Sequence, residues 1–385
     1  MTESTGGSDV GLTQTRATRD ADGRWWLHGR KWFTSAVTGQ MALTLARPEG
    51  NPSGGKGLAL FYLEMRDGSG ALNGIAVDRL KDKLGTRKVP TAELTLQGAL
   101  ATPVYGLSDG VKNISPMLNV TRTWNSVSAV SYMRRAIALA RDYASKRVAF
   151  GAPLANKPLH LNTLADMQAE LEAAFHLTFL LVEMLGQEEA GTLSGGQADL
   201  WRLLTPIVKA NTAKQCVAVV SEALECFGGA GYVEDTGLPM LLRDSQVFPI
   251  WEGTTNVLSL DALRAVAGGG GLTVFGKSVH DLVALAKDAR LIPAGQSAEA
   301  GFSDAARWLE TASAQSSEAV EAGARRCALT LGRTLALALL VRHAQWSLEA
   351  EHDERAVAAA VRFARHGVNL ISDSDAAESR LLALD

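Results

Sequence analysis

Between residues 105 and 110 the hydrophobic pattern of this chain changes period, and that change limits what it can fold into more than any other feature. Up to about residue 105 the apolar residues sit in short segments that alternate or carry β-formers: RWWLHGRKWFTS (24–35), MALTLARP (41–48) and ELTLQ (93–97). Turn signals separate them at Asp22-Gly23, at NPSGG (51–55) and at DGSG (67–70). Beyond residue 110 the period lengthens to that of a helix. The segments 120–150, 161–187 and 199–227 carry apolar residues at helical spacing with few breakers, punctuated by FGAPLANKPL, by Gly191 and by Gly228-Gly229. AGGGGL (267–272) reads as a hinge, and Ala-rich helical segments follow it to Asp385. The pattern predicts an α+β chain: a small antiparallel β-barrel or sandwich, then an α-helical bundle, then an extra C-terminal helical region. The boundaries implied are 1–105, 106–268 and 269–385, with no internal repeat.

Composition narrows the function classes. A hydrophobic share of 46% supplies a sizeable core, and a net charge of −3 gives no reason to expect nucleic acid or an anionic membrane. No uninterrupted apolar run is long enough to span a bilayer. Cys216, Cys226 and Cys327 form no close-spaced pair, which suits a reducing compartment. The seven histidines show no HxxxH or HxH spacing, so no metal site is expected. The first ten residues are neither a signal nor a transit sequence.

The stretch RDSQVFPIWEGTTN (243–256) holds the strongest chemical signal. It puts Glu252 between Trp251 and Gly253, ahead of a hydroxyl-rich turn in which Thr254, Thr255 or Asn256 can cap a helix. A carboxylate beside an aromatic is partly desolvated and so a better base. Read alone, Glu252 fits a salt-bridged core acid equally well.

The motifs MTESTGGSDV (1–10), RKWFTS (30–35), Thr121-Arg122, KRVAFG (146–151), ECFGGAGY (225–232) and WEGTTN (251–256), in that order, resemble the acyl-CoA dehydrogenase family of flavoproteins over residues 1 to about 268. LKDKLGTR, YMRRA and the helical tail are similar to its AidB-like, adaptive-response branch. That family has an N-terminal helical domain, a middle β-domain and a C-terminal four-helix domain. The resemblance begins at the first strand motif of the β-domain, so the N-terminal helical domain is expected to be absent from this chain.

The resemblance implies an oxidoreductase of fatty acid metabolism that removes two hydrogens from Cα and Cβ of an acyl-CoA thioester, with FAD as hydride acceptor and Glu252 as the base. Met1, Thr2 and Ser8 match positions that contact flavin and pyrophosphate, Gly6 and Gly7 let backbone N–H groups reach those anions, and Ser8 also faces substrate. Trp32, Phe33 and Thr34 match the segment against the isoalloxazine ring. Gly253, Thr254, Thr255 and Asn256 form the flavin-side turn. Arg122 and Trp251 match substrate positions, Arg122 near the CoA moiety. Arg147, Phe150, Glu225, Gly228 and Gly229 match segments that reach the flavin of a neighbouring subunit, although many relatives carry Gln where Glu225 stands. Contacts of that kind imply a homodimer or homotetramer, and the family implies an electron acceptor such as an electron-transfer flavoprotein. Compartment stays open among cytoplasm, mitochondrion and peroxisome. Two alternatives stand beside the enzyme: an AidB-like flavoprotein of weak dehydrogenase activity that acts in the DNA-damage response by binding DNA, and an inactive truncated family member. Residues 270–385 carry twelve Lys/Arg against fifteen Asp/Glu, too acidic a balance for a phosphate-binding arm.

Overall fold

The computed structural model describes residues 1–372 and 376–384. The chain divides into two compact units, Met1–Asn119 and Val120–Asp385.

In the first unit, strands β1 (Arg16–Arg19), β2 (Trp25–Ser35), β3 (Met41–Pro48), β4 (Ala59–Glu64), β5 (Ile75–Leu80) and β6 (Thr91–Pro103) form one sheet in the order β2-β1-β3-β4-β6-β5. The long strand β6 also pairs with β2, so the ring β2-β1-β3-β4-β6 closes into a small barrel with β5 outside it. Closure leaves few free edges. One pair departs from the expected antiparallel order: β1 and β3 run parallel, Arg16 opposite Arg47. The barrel is filled by Leu27, Phe61, Leu63, Leu94 and Leu96, all buried. The alternation of ELTLQ puts Glu93 on an outer face, yet its side chain is only 1% exposed. Arg30, Arg79 and Lys81 converge on it at 2.8, 2.7 and 2.6 Å. The Lys81 hydrogen bond first, and then Arg79, hold its carboxyl below the usual range against the opposing effect of burial.

The helix predicted over 120–150 is instead α1 (Gly110–Lys146), which starts ten residues earlier and absorbs Pro116. It stops at Lys146, before RVAF, because Val148–Ala149 (β7) and Ala152–Pro153 (β8) pair as a two-residue hairpin with Phe150 and Gly151 at its tip, both at positive φ.

The second unit is helical: α2 (Pro158–Glu189), α3 (Gly195–Glu225), α4 (Leu238–Ser245), α5 (Thr255–Gly268), α6 (Gly271–Val283), α7 (Ile292–Gln315), α8 (Ser317–Ala350), α9 (Arg355–Arg365) and α10 (Ala376–Ala383). The predicted hinge is a corner: α5 and α6 meet at 97° across Gly269-Gly270. Helices α7 to α9 share one core with α2 and α3, where Leu203, Ile207 and Leu181 pack in the same cluster as Leu335, Leu340 and Phe363. Gly332 on α8 allows this, because a Cβ there would lie 2.0 Å from the Asn211 side chain of α3. By length and composition α8 could cross a membrane, a property not read from the sequence. Its apolar window is 78% buried within the protein, as in a core helix.

A charged clamp joins the tail to α2. Arg333 grips Glu170 with two nitrogens at 3.0 and 3.1 Å, and Arg362 meets Asp166 at 2.7 Å. Between them His366 faces Glu170 through Nδ1 (2.9 Å) and Asp166 through Nε2 (3.0 Å). A neutral imidazole has one N–H, so only the imidazolium donates to both. The hydrogen bond to Glu170, and then that to Asp166, raise the His366 pKa above its ordinary 6.5. A pKa raised in the folded state contributes stability that is complete below 6.5 and is lost as pH rises through the folded value. The urea midpoint of this unit should therefore fall as pH climbs from 6.5, and His366→Ala should flatten that dependence. A midpoint with the same slope in both proteins would refute it.

Candidate functional site

The WEGTTN stretch lies in the second unit, between α4 and α5. Thr254 caps α5, its Oγ1 accepting from the Val257 N–H at 3.5 Å. The two preceding residues are left-handed: Glu252 has φ +59° and Gly253 has φ +103°. For glutamate that conformation costs about 1–3 kcal/mol and persists only where surrounding contacts enforce it. Three side chains do so. Thr121 Oγ1 on α1 donates to the Glu252 carboxylate at 2.9 Å, and Arg122 Nε donates to the Glu252 carbonyl at 3.2 Å. Lys209 Nζ on α3 donates to the Gly253 carbonyl at 2.7 Å. Arg122 Nη1 also binds Asp261 on α5 at 2.8 Å, and Arg202 reaches the other oxygen of Asp261 at 2.5 Å. Burial works to raise the Asp261 pKa, but Arg202 and Arg122 reverse this and hold it below the carboxylate range. Burial pushes the Lys209 ammonium down to about 7, against the pull of Glu252 and with the push of Arg122.

Glu252 is half-buried, and Trp251 beside it is 37% exposed. The arrangement is a carboxylate that, among the described residues, is met by one hydroxyl, on a turn held by Arg122 and Lys209, which suits a proton acceptor. Two nitrogens of Arg122, expected near substrate, hold the protein's own Glu252 and Asp261. Thr255 is buried and Asn256 exposed, with Arg325 Nη1 at 3.5 Å from the Asn256 side-chain oxygen. Sequence reasoning missed Lys209, Asp261 and Arg202. The available signal was a charge inside an apolar helical stripe, in PIVKA for Lys209 and LSLDAL for Asp261.

A second group in the same unit brings together Arg147, Glu225, Gly228 and Gly229, which line an open cleft of about 530 Å³ with Tyr143 and His160. A Cβ on Gly228 or Gly229 would touch nothing within 4 Å, so their backbone is open to a ligand. Among the described residues the Arg147 guanidinium forms no ion pair. Phe150, at the hairpin tip, is 96% exposed, and Tyr232 and Leu159 are also largely exposed.

The remaining predicted residues lie in the β unit. The Trp32 N–H donates to the Thr2 carbonyl at 2.8 Å, which docks the first residues beside β2. Glu3 anchors them: its carboxylate accepts from Lys31 Nζ on β2 (2.7 Å) and, just before β1, from Thr15 Oγ1 (2.5 Å) and the Gln14 N–H (2.7 Å). Neither Glu3 nor Lys31 was singled out from sequence. Gly7 packs onto Thr2, Gly6 has φ +125°, Ser8 is exposed, and Met1 packs beside Leu45 and Leu60. Trp32 and Phe33 sit where the β2–β6 register slips, a bulge that re-aims side chains. Lys81 Nζ lies 3.6 Å from the Trp32 ring centre, Phe33 is 52% exposed, and Thr34 pairs with Ala92.

With this geometry in hand, three known families match the chain: acyl-CoA dehydrogenase, middle domain, over residues 1–99; acyl-CoA dehydrogenase, C-terminal domain, over 108–267; and acyl-CoA dehydrogenase 11 C-terminal domain-like, over 271–380. Acyl-CoA dehydrogenase family member 11 of Caenorhabditis elegans is 47% identical over 369 residues, covering 93% of this chain and 60% of the worm protein. AidB of Escherichia coli, described as a candidate acyl-CoA dehydrogenase, is 37% identical over 267 residues, covering 69% of this chain and 47% of that protein. The chain thus spans between about half and two thirds of the length of these relatives. The crystal structure of C. elegans ACDH-11 in complex with C11-CoA superposes with a TM-score of 0.95 at 44% identity, covering all of this chain and 68% of that one.

Proposed function

Because this chain belongs to the acyl-CoA dehydrogenase family, we propose that it carries out α,β-dehydrogenation of an acyl-CoA thioester with Glu252 as the base. The observation that carries the reading is the strained turn: a non-glycine residue at φ +59° whose carboxylate accepts from the Thr121 hydroxyl, while Arg122 holds its carbonyl and Lys209 holds that of Gly253. Glu252 takes the α-proton at a carboxylate oxygen. Thr121 orients that oxygen, and Arg122 and Lys209 keep the turn from relaxing away from substrate. The flavin such a site would hold would supply the hydride acceptor for the β-hydrogen.

The chain's residues suit the parts of such a cofactor. Arg147, in no ion pair among the described residues, lies beside the bare Gly228-Gly229 backbone and offers donors to phosphates, and the half-exposed Trp32-Phe33 pair offers an aromatic surface to a planar ring. Thr2, Ser8, Gly6 and Gly7 complete the β-unit contribution. Glu225 in the cleft would suit ribose hydroxyls rather than phosphates, which its carboxylate would repel. The apolar surface around the cleft, Phe150, Leu159 and Tyr232, supports a homodimer or homotetramer in which a second copy covers it. An electron-transfer flavoprotein is the acceptor we propose.

The family matches support reading 1–105 as the middle domain, 106–268 as the C-terminal domain and 269–385 as an added helical layer. Similarity to the worm protein runs through that layer, so the branch assigned is that of the worm and E. coli relatives, and the C11-CoA of the worm structure makes a medium-chain acyl-CoA the first substrate to try. DNA binding by the tail gains no support, because Arg333 and Arg362 are paired with Glu170 and Asp166.

The test is an absorbance spectrum of the purified protein before and after anaerobic addition of acyl-CoAs of graded length. A flavin band that bleaches with one of them is the expected result. A band that no acyl-CoA bleaches, or no flavin band at all, overturns the proposal.

A further inference from the structure

We infer that Lys209 is a positioning residue for Glu252: from α3 it holds the Gly253 carbonyl, and with it the left-handed backbone that presents the carboxylate. This deepens the reading of Glu252 as base and rests on it. The Lys209 side chain has no exposed surface, and its neighbours Ile207, Val208 and Ala210 are buried with it. Lysine is almost never found at full burial without a partner that uses its charge. If the position needed only to be filled, methionine would fill it without the cost of desolvating an ammonium. The hydrogen bond found for its Nζ goes to Gly253, 44 residues along the chain and next to Glu252.

Two consecutive carbonyls of the turn, those of Glu252 and Gly253, are thus received by cations from two different helices. Either contact alone leaves the adjoining peptide free to rotate; the pair fixes both. The charged groups acting on Lys209 are Glu252, which favours the ammonium, and Arg122, which opposes it. On α5, Asp261 is taken up by Arg122 and Arg202, and further along α2 and α8 Glu170 and Arg333 pair with each other. Lys209 therefore fixes the turn and, in its protonated form, which burial confines to pH below about 7, supplies positive charge to the carboxylate on it.

The experiment follows α-proton exchange of a medium-chain acyl-CoA against pH in wild type, Lys209→Met and Lys209→Gln, with flavin content and circular dichroism recorded alongside. Lys209→Met removes donor and charge, and should lower exchange about 100-fold with KM and flavin content unchanged, the size expected for a misplaced catalytic group. Lys209→Gln keeps a donor but no charge. It should lose less, about tenfold, and should move the acid limb of the profile upward, because a neighbouring positive charge favours the carboxylate form. Wild-type rates and an unmoved limb in both variants, while Glu252→Gln is inactive, would overturn the role of Lys209 and leave Glu252 as base. Two variants that both fail to fold would make Lys209 a residue of the core, which also overturns it. A wild type that exchanges no proton removes the base and its positioning residue together.

Discussion

Replacing Glu252 with glutamine should cut α-proton exchange of an acyl-CoA by about 10³-fold, within the range that a positioned general base contributes. Glutamine fits the same space, and its amide oxygen can still accept from Thr121. The contacts that fix the turn run through the backbone carbonyls of Glu252 and Gly253, which the substitution leaves in place. Flavin content, melting temperature and acyl-CoA affinity should therefore stay near those of the wild type. This separates loss of the proton acceptor from loss of structure. The measurement is deuterium uptake at Cα by mass spectrometry, with the absorbance band monitored in the same samples. Exchange within tenfold of the wild type would assign the base to another residue and leave Glu252 as a polar member of the turn.

The largest effect on stability is expected in the β unit. Lys31 is 5% exposed and Glu3 4%, and the pair is joined at 2.7 Å. Lys31→Met leaves the Glu3 carboxylate in the barrel wall with Thr15 and Gln14 but no cation. Breaking a buried pair on one side costs about 3–5 kcal/mol. Glu3→Gln together with Lys31→Met removes both charges and should recover a substantial part of the loss, which a double-mutant cycle measures. Burial works to raise the Glu3 pKa, but Lys31 and the hydrogen bonds hold it below 4.5. A pKa lowered on folding gives stability that is present above 4.5 and fades as pH falls through the folded value, so in wild type the pair weakens in acid. Urea unfolding followed by tryptophan fluorescence at neutral pH is the assay. A Lys31→Met loss under about 1 kcal/mol would mean that water reaches the pair and that it resembles a surface bridge.

The change from period two to helical period near residue 105 was legible because it rests on where apolar residues repeat, and burial enforces that repeat everywhere. So were the break at Gly191, a helix cap somewhere in Thr254–Asn256 and a glycine interruption at 267–272, each of which depends on local backbone chemistry; that Thr254 is the cap and that the interruption is a corner came from the structure. The early start of α1 was hidden because GVKNISPMLN holds a proline and turn-forming residues, and local preference there points away from a helix. Glu93 and Lys209 were hidden for another reason. A charged residue inside an apolar pattern reads as an outward-facing position, and only tertiary contacts show that three cations close over one and that a carbonyl 44 residues away receives the other. The motifs located Glu252 and the Arg147 cleft residues, while the supports of the turn come from helices distant in sequence.

The glycine at 332 carries a consequence for how such a chain can be assembled in evolution. A module that can be gained or lost as a cassette needs a polar face where it meets its host. Here the Asn211 side chain of α3 occupies the space that a side chain at position 332 of α8 would need, and the apolar residues of both helices form one cluster. A version ending at Gly268 would present Leu203, Ile207 and Leu181 to water. The last hundred or so residues are thus no appendage: the helical unit is built to unfold as one cooperative body, and a substitution along α8 is felt in α2 and α3 as well.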